Sequence, residues 1–199
     1  KKSIEIDPEY FDAYINLGLL YKDSNKFNEA EESYLKAIKI NDSSAIAHLN
    51  IGACYKEQQM LDKAIFHTEI ALKFDDKIRN GYLNLASIYK EKGEYKKSFL
   101  LAKKEIMNNN ENELGYQLIA DLLKNHGLIK SSDKEDRKLL NQLLERKDIS
   151  HREIYINIKH LIPINLLEKI SILDTDLSKK EEFDLFINDS ELMKALRLM

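Results

Sequence analysis

Cysteine occurs once in the 199 residues, proline twice, glycine six times and tryptophan not at all. A single cysteine admits no disulfide framework within the chain. So little proline and glycine, beside many Leu, Ile, Lys and Glu, points to long helices. No apolar run exceeds a few residues, far short of the roughly 20 that a membrane-spanning helix needs, and no apolar signal segment stands near residue 1. An excess of one charge is missing too: 31 Lys+Arg face 34 Asp+Glu, for a formal net charge of −3. Neither half of the chain is a basic arm or an acidic tail, so a general electrostatic grip on nucleic acid is not expected. Apolar residues make up 43% of the chain, too many for a disordered one.

What is present is a repeat. Ala13-Tyr14-Ile15-Asn16-Leu17-Gly18-Leu19-Leu20-Tyr21-Lys22 aligns with Ala47-His48-Leu49-Asn50-Ile51-Gly52-Ala53-Cys54-Tyr55-Lys56 and with Gly81-Tyr82-Leu83-Asn84-Leu85-Ala86-Ser87-Ile88-Tyr89-Lys90. The offset is 34 residues both times, without insertion. A fourth copy begins on schedule at Gly115-Tyr116 and reaches Lys124. Ala30, Ala64 and Ser98 share one later place; Ala37 and Ala71 share another, which Glu105 occupies in the third copy. Within a copy, Tyr14, Leu17, Leu20 and Tyr21 fall on one helical face. Gly18, Gly52, Ala86 and Ala120 recur at one place and predict close helix approach there, since an interior Gly costs a helix about 1 kcal/mol relative to Ala. A helix pair of this kind cannot bury its apolar face alone, so neighbouring pairs stack.

The pattern resembles the tetratricopeptide repeat. The first copy carries the family's Tyr14, Leu17-Gly18, Tyr21, Ala30, Tyr34 and Ala37, with Asp42 where the family usually has proline. The second carries His48, Ile51-Gly52, Tyr55, Ala64, Thr68 and Ala71; the third carries Tyr82, Leu85-Ala86, Tyr89, Ser98 and Ala102. The resemblance implies an all-α fold: a superhelix (α-solenoid) of antiparallel helix pairs, followed by a non-repeat helical C-terminal region. Residues 1–10 read as the end of a preceding repeat or an N-terminal cap, because Lys2-Ser3-Ile4-Glu5-Ile6-Asp7-Pro8 matches Lys36 to Asp42 one period later. The expected repeats are 11–44, 45–78 and 79–112, then a degenerate repeat or capping helices over 113–147. Residues 148–199 form a helical C-terminal region or linker. There, capping boxes start at Ser132 and Ser150, and a last apolar stripe carries Leu192, Met193, Leu196 and Met199. That stripe offers a surface for self-association or for further protein.

No motif carries catalysis: there is no Walker loop, GxGxxG, GxSxG or HExxH. None of His48, His67, His126, His151 and His160 has a second ligand at a zinc-like spacing. His48, in the aromatic place of its repeat, reads as a packing residue, and Cys54 as a buried structural thiol. The expectation is therefore a cytoplasmic protein that is not an enzyme and has no cofactor, no metal and no nucleic-acid or membrane partner.

The binding candidates are periodic. Asn16, Asn50 and Asn84 stand one period apart beside the Leu-Gly place, with Leu118 in the fourth copy. In the family that place faces the inner surface, and the arrangement resembles the asparagine ladder of O-linked N-acetylglucosamine transferase repeats, which holds peptide main chain. An Asn amide offers two donors and an acceptor, enough to pair a peptide group in both directions. Lys22, Lys56 and Lys90 also repeat, each followed by an acid, and form a rim. The chaperone-binding clamp of the family is not expected, because Ile15 and Leu19 occupy its carboxylate-holding places. The functional expectation is an interaction scaffold that binds an extended peptide or partner protein in the concave groove. The alternative is the substrate-recognition arm of a larger transferase, of glycosyl- or methyltransferase type, with its catalytic domain outside this chain.

Overall fold

The computed structural model describes residues 10–126 together with 138, 139, 142, 143 and 146. Seven helices run in order over residues 10–126: α1 Phe11–Asp23, α2 Phe27–Ile40, α3 Ala45–Glu57, α4 Leu61–Phe74, α5 Gly81–Glu91, α6 Tyr95–Asn108 and α7 Glu113–His126. The described residues contain no strand. The chain divides into two compact units, 1–112 and 113–199. In the first, α1 packs on α2, α3 on α4 and α5 on α6, with α2 against α3 and α4 against α5, as in a helical solenoid. In the second, Tyr116, Ile119, Leu122 and Leu123 of α7 are buried, as are Leu139 and Leu143. The readings at residues 1–9 and 150–199, including the capping box at Ser150 and the stripe from Leu192 to Met199, lie outside the described residues, as does the capping box at Ser132.

The period is written into the turns. Each three-residue link within a pair places its middle residue in the left-handed region: Asn25 at φ 57°, Gln59 at φ 59° and Gly93 at φ 81°. Around it, Lys26 N–H reaches the Tyr21 carbonyl and Asn25 N–H the Lys22 carbonyl, a pattern that repeats at Met60/Tyr55 with Gln59/Lys56 and at Glu94/Tyr89 with Gly93/Lys90. These paired bonds close a helix end with a Schellman motif, which satisfies carbonyls that the helix leaves open. Between pairs, proline is absent and a side chain bends the backbone instead. Asn41 Oδ1 accepts from Ser43 N–H, Asp75 Oδ1 from Lys77 N–H and Asn109 Oδ1 from Glu111 N–H. Such Asx turns mimic a backbone turn.

The third pair departs from the period at one end. Ser44 caps α3 by accepting from Ala47 N–H at 3.2 Å. One period on stands Ile78, whose side chain has no oxygen; its backbone carbonyl takes Gly81 N–H at 3.0 Å instead, and α5 begins at Gly81, after Asn80 in the left-handed region. Glu105 of α6 supplies a side-chain acceptor for a later amide of that first turn. Its buried carboxylate takes Leu83 N–H at 3.2 Å on one oxygen and Asn112 Nδ2 at 2.9 Å on the other. This is why the small residue of the first two copies, Ala37 and Ala71, gives way to Glu105.

The core of the first unit is built from the small and aromatic places of the repeat: Ile15, Ala30, Tyr34, Ala37, Ala47, Ile51, Cys54, Tyr55, Ala64 and Ile88. The expected close approach is found at Gly18, where an added Cβ would stand 2.3 Å from the Tyr34 ring, and at Gly52, where it would stand 2.5 Å from Thr68 Oγ1.

Candidate functional site

The first helix of each pair carries the periodic polar residues. Asn16 on α1 is exposed; Asn50 on α3 and Asn84 on α5 are half-buried. Their flanking residues Ile15, Ile51 and Leu85 are buried, so each amide stands at the edge of the core. No hydrogen bond from these three amides is formed within the described residues, which leaves their donors and acceptors to solvent or to a ligand.

Of the lysines just under two turns on, Lys22 and Lys56 are engaged with acids. Lys22 Nζ is 4.0 Å from Asp23, and Lys56 Nζ is 3.0 Å from Glu91 of the next pair. Lys90 is engaged as well. Lys56 and Gln59 both hold Glu91, and Lys92 reaches back to Asp62 at 2.6 Å, so this rim ties successive pairs together. Pairs this exposed contribute little stability each, typically below about 1 kcal/mol.

A second cluster joins α2, α3 and α4. His48 and His67, 19 residues apart, meet through their Nδ1 atoms at 3.1 Å, with ring centroids 5.3 Å apart and ring planes 25° from parallel. Phe74 and Phe66 flank the pair, the Tyr55 ring lies 5.5 Å from His67, and the Tyr55 hydroxyl donates to Glu31 at 2.5 Å. Burial lowers the His48 pKa. Burial also lowers that of His67, aided by His48 and Lys63 and opposed by Glu31. Burial and the bond to Glu31 push the Tyr55 phenol up to about 12. His48 packs among aromatics, as its place in the repeat suggests, but it also has a nitrogen partner that sequence spacing does not reveal. The pairing comes from two helices crossing, and the only signal for it is that one repeat alone has histidine at both places.

Cys54 is buried at 1% exposure and its thiol is pushed up to about 11, chiefly by burial, with Lys22 acting against that. A scarce, enclosed thiolate is a poor nucleophile. At the other end of the unit, a cavity of about 520 Å³ is lined by Lys77, Ile78, Arg79, Glu105, Met107, Asn108 and Asn109. Its one buried carboxylate, on Glu105, is already occupied in capping α5.

Comparison with known proteins agrees with this architecture. The family model for the tetratricopeptide repeat matches residues 11–44. No curated protein matches the chain. Among solved structures, YrrB, described as a tetratricopeptide protein with an unusual peptide-binding site, superposes with a TM-score of 0.64 at 17% identity, covering 100% of this chain and 97% of its own. MamA superposes at 0.60 with 24% identity, covering 74% of this chain and 84% of its own. The first tetratricopeptide domain of Spaghetti (RPAP3), solved with the HSP90 peptide SRMEEVD, superposes at 0.55 with 12% identity, covering 56% of this chain and 91% of its own. At these identities the likeness is one of fold.

Proposed function

On the premise that this chain is a tetratricopeptide-repeat protein, we propose that it is an interaction scaffold whose first helices hold an extended peptide or a partner protein. The observation that carries the reading is the row Asn16, Asn50 and Asn84: one residue type at one place on α1, α3 and α5, beside the core, with amides unused within the described residues. Successive amides at a regular rise pair with main chain and make few demands on sequence. Lys22, Lys56 and Lys90 flank that row, and because acids accompany them, their part is orientation rather than a strong charge. Tetratricopeptide relatives solved with chaperone peptides, and YrrB with its peptide-binding site, support a peptide as the class of ligand. The places of the carboxylate clamp hold Ile15 and Leu19, which favours capture of a peptide along its length over capture by its C-terminus.

The test selects a binding peptide from a displayed library and compares the parent with a triple Asn→Ala variant. Each lost amide is expected to cost about 0.5–1.5 kcal/mol of binding, with the melting temperature unchanged, since an exposed Ala favours the helix. Equal affinity in a folded triple variant overturns the ladder.

A further inference from the structure

Two imidazoles that face each other through the same ring nitrogen present two ligand atoms with little else to do. The His48 and His67 rings form no other hydrogen bond within the described residues, and their Nδ1 atoms are 3.1 Å apart. Metal–imidazole bonds of about 2.0–2.1 Å across that separation subtend about 98° at the ion, between the square-planar and tetrahedral values, once each ring has turned out of the head-to-head arrangement so that its lone pair leaves the nitrogen–nitrogen line. His67 is partly exposed, so an ion can enter from solvent. Burial favours neutral rings, the form that binds metal.

We propose that His48 and His67 form a chelating site for a late divalent transition-metal ion, represented by Zn²⁺, bound through both Nδ1 atoms with water completing the coordination. Imidazole nitrogen suits Zn²⁺, Cu²⁺ and Ni²⁺, whereas Ca²⁺ and Mg²⁺ require oxygen ligands. Binding needs no net loss of a proton. In the neutral pair one Nδ1–H donates to the other Nδ1; moving that proton to Nε2 of its own ring frees both lone pairs. The surroundings are mixed. From α2, the Glu31 carboxylate favours positive charge at His67, while Lys63 on α4 opposes it, and Tyr55 on α3 holds Glu31 by its hydroxyl. Among the described residues no three of His, Cys, Asp and Glu converge, so the site is a two-ligand, exchangeable one. It lies between the two helices of the second pair, and metal there would clamp α3 to α4.

Calorimetric titration of the whole chain with ZnCl₂ near neutral pH tests the site. One ion per chain is expected, with a Zn²⁺-dependent rise in melting temperature. His67→Gln, at the partly exposed position, should leave helicity intact and weaken binding by at least the roughly ten- to hundredfold that loss of a ligand's outer support alone costs. His48→Gln should do the same, and His126→Gln should not. Nitrogen-detected spectra should show both rings protonated at Nε2 in the loaded chain. No heat at millimolar Zn²⁺, or binding that survives both His67→Gln and His48→Gln, overturns the site. Either result leaves the asparagine reading untouched, because peptide capture is read on separate variants.

Discussion

At the scale of single residues, the repeat works by matched sizes. The place that holds Gly18 and Gly52 holds Ala86 in the third copy, and the place that holds Tyr34 and Thr68 holds Ala102. Tyr34 fills the space that Gly18 leaves, and Thr68 that of Gly52. The Tyr34 ring is wholly buried and cannot swing aside, so Gly18→Ala is expected to destabilise the chain by about 1–3 kcal/mol through overpacking, although helix propensity alone favours Ala by about 1 kcal/mol. Urea denaturation of Gly18→Ala, Tyr34→Ala and the double variant checks this. A coupling near zero in that cycle would show that the two residues do not meet. The small residue was legible in the sequence because it recurs. What it faces was not, since a contact between α1 and α2 has no fixed sequence separation.

At the scale of elements, the recurrence of the helices at 34 residues was legible. The second helices begin at Phe27, Leu61 and Tyr95, one period apart, and α1 and α3 begin at Phe11 and Ala45. The exception is α5, which starts two residues late at Gly81. The Ile78 side chain cannot cap, and the side-chain acceptor in the first turn, for Leu83 N–H, comes from Glu105 on the following helix, 22 residues away. A local reading of caps misses a cap supplied by tertiary contact, although Glu105 in an alanine place was its visible trace. Glu105→Ala restores the residue of the other copies and is expected to cost about 0.5–2 kcal/mol, the range for loss of a helix cap. Hydrogen exchange should place the loss in the first turn of α5, with α3 unaffected. Unchanged protection at Leu83 would mean that its amide has another acceptor.

At the scale of the whole molecule, the first unit is a stack in which each pair covers the next, so its opening should be stepwise rather than all at once. Cys54 reports on that opening. It is enclosed within the cluster that also holds Ile15, Tyr34 and Ala64, and its thiol is pushed up to about 11. Modification by a thiol reagent is therefore expected to be slow in the native chain and to accelerate in Gly18→Ala, which strains the same cluster. Mass spectrometry over time measures both rates. Fast, complete modification of the native chain would show that the first two pairs are not closed on each other. The stack itself was legible from the period. The meeting of His48 with His67 was not, because the period specifies where helices lie and not which side chains cross between them.

The matched sizes also set a rule for how such a chain can be rebuilt by duplication. A copied segment that begins at Phe11 or Ala45 and runs one full period carries each glycine together with the side chain that fills its space. A crossover inside a period, joining α5 to α2, would set Ala86 where Gly18 stands and place its methyl group 2.3 Å from the Tyr34 ring. A whole-period copy therefore keeps each glycine with its filler, whereas a join between α5 and α2 breaks that match.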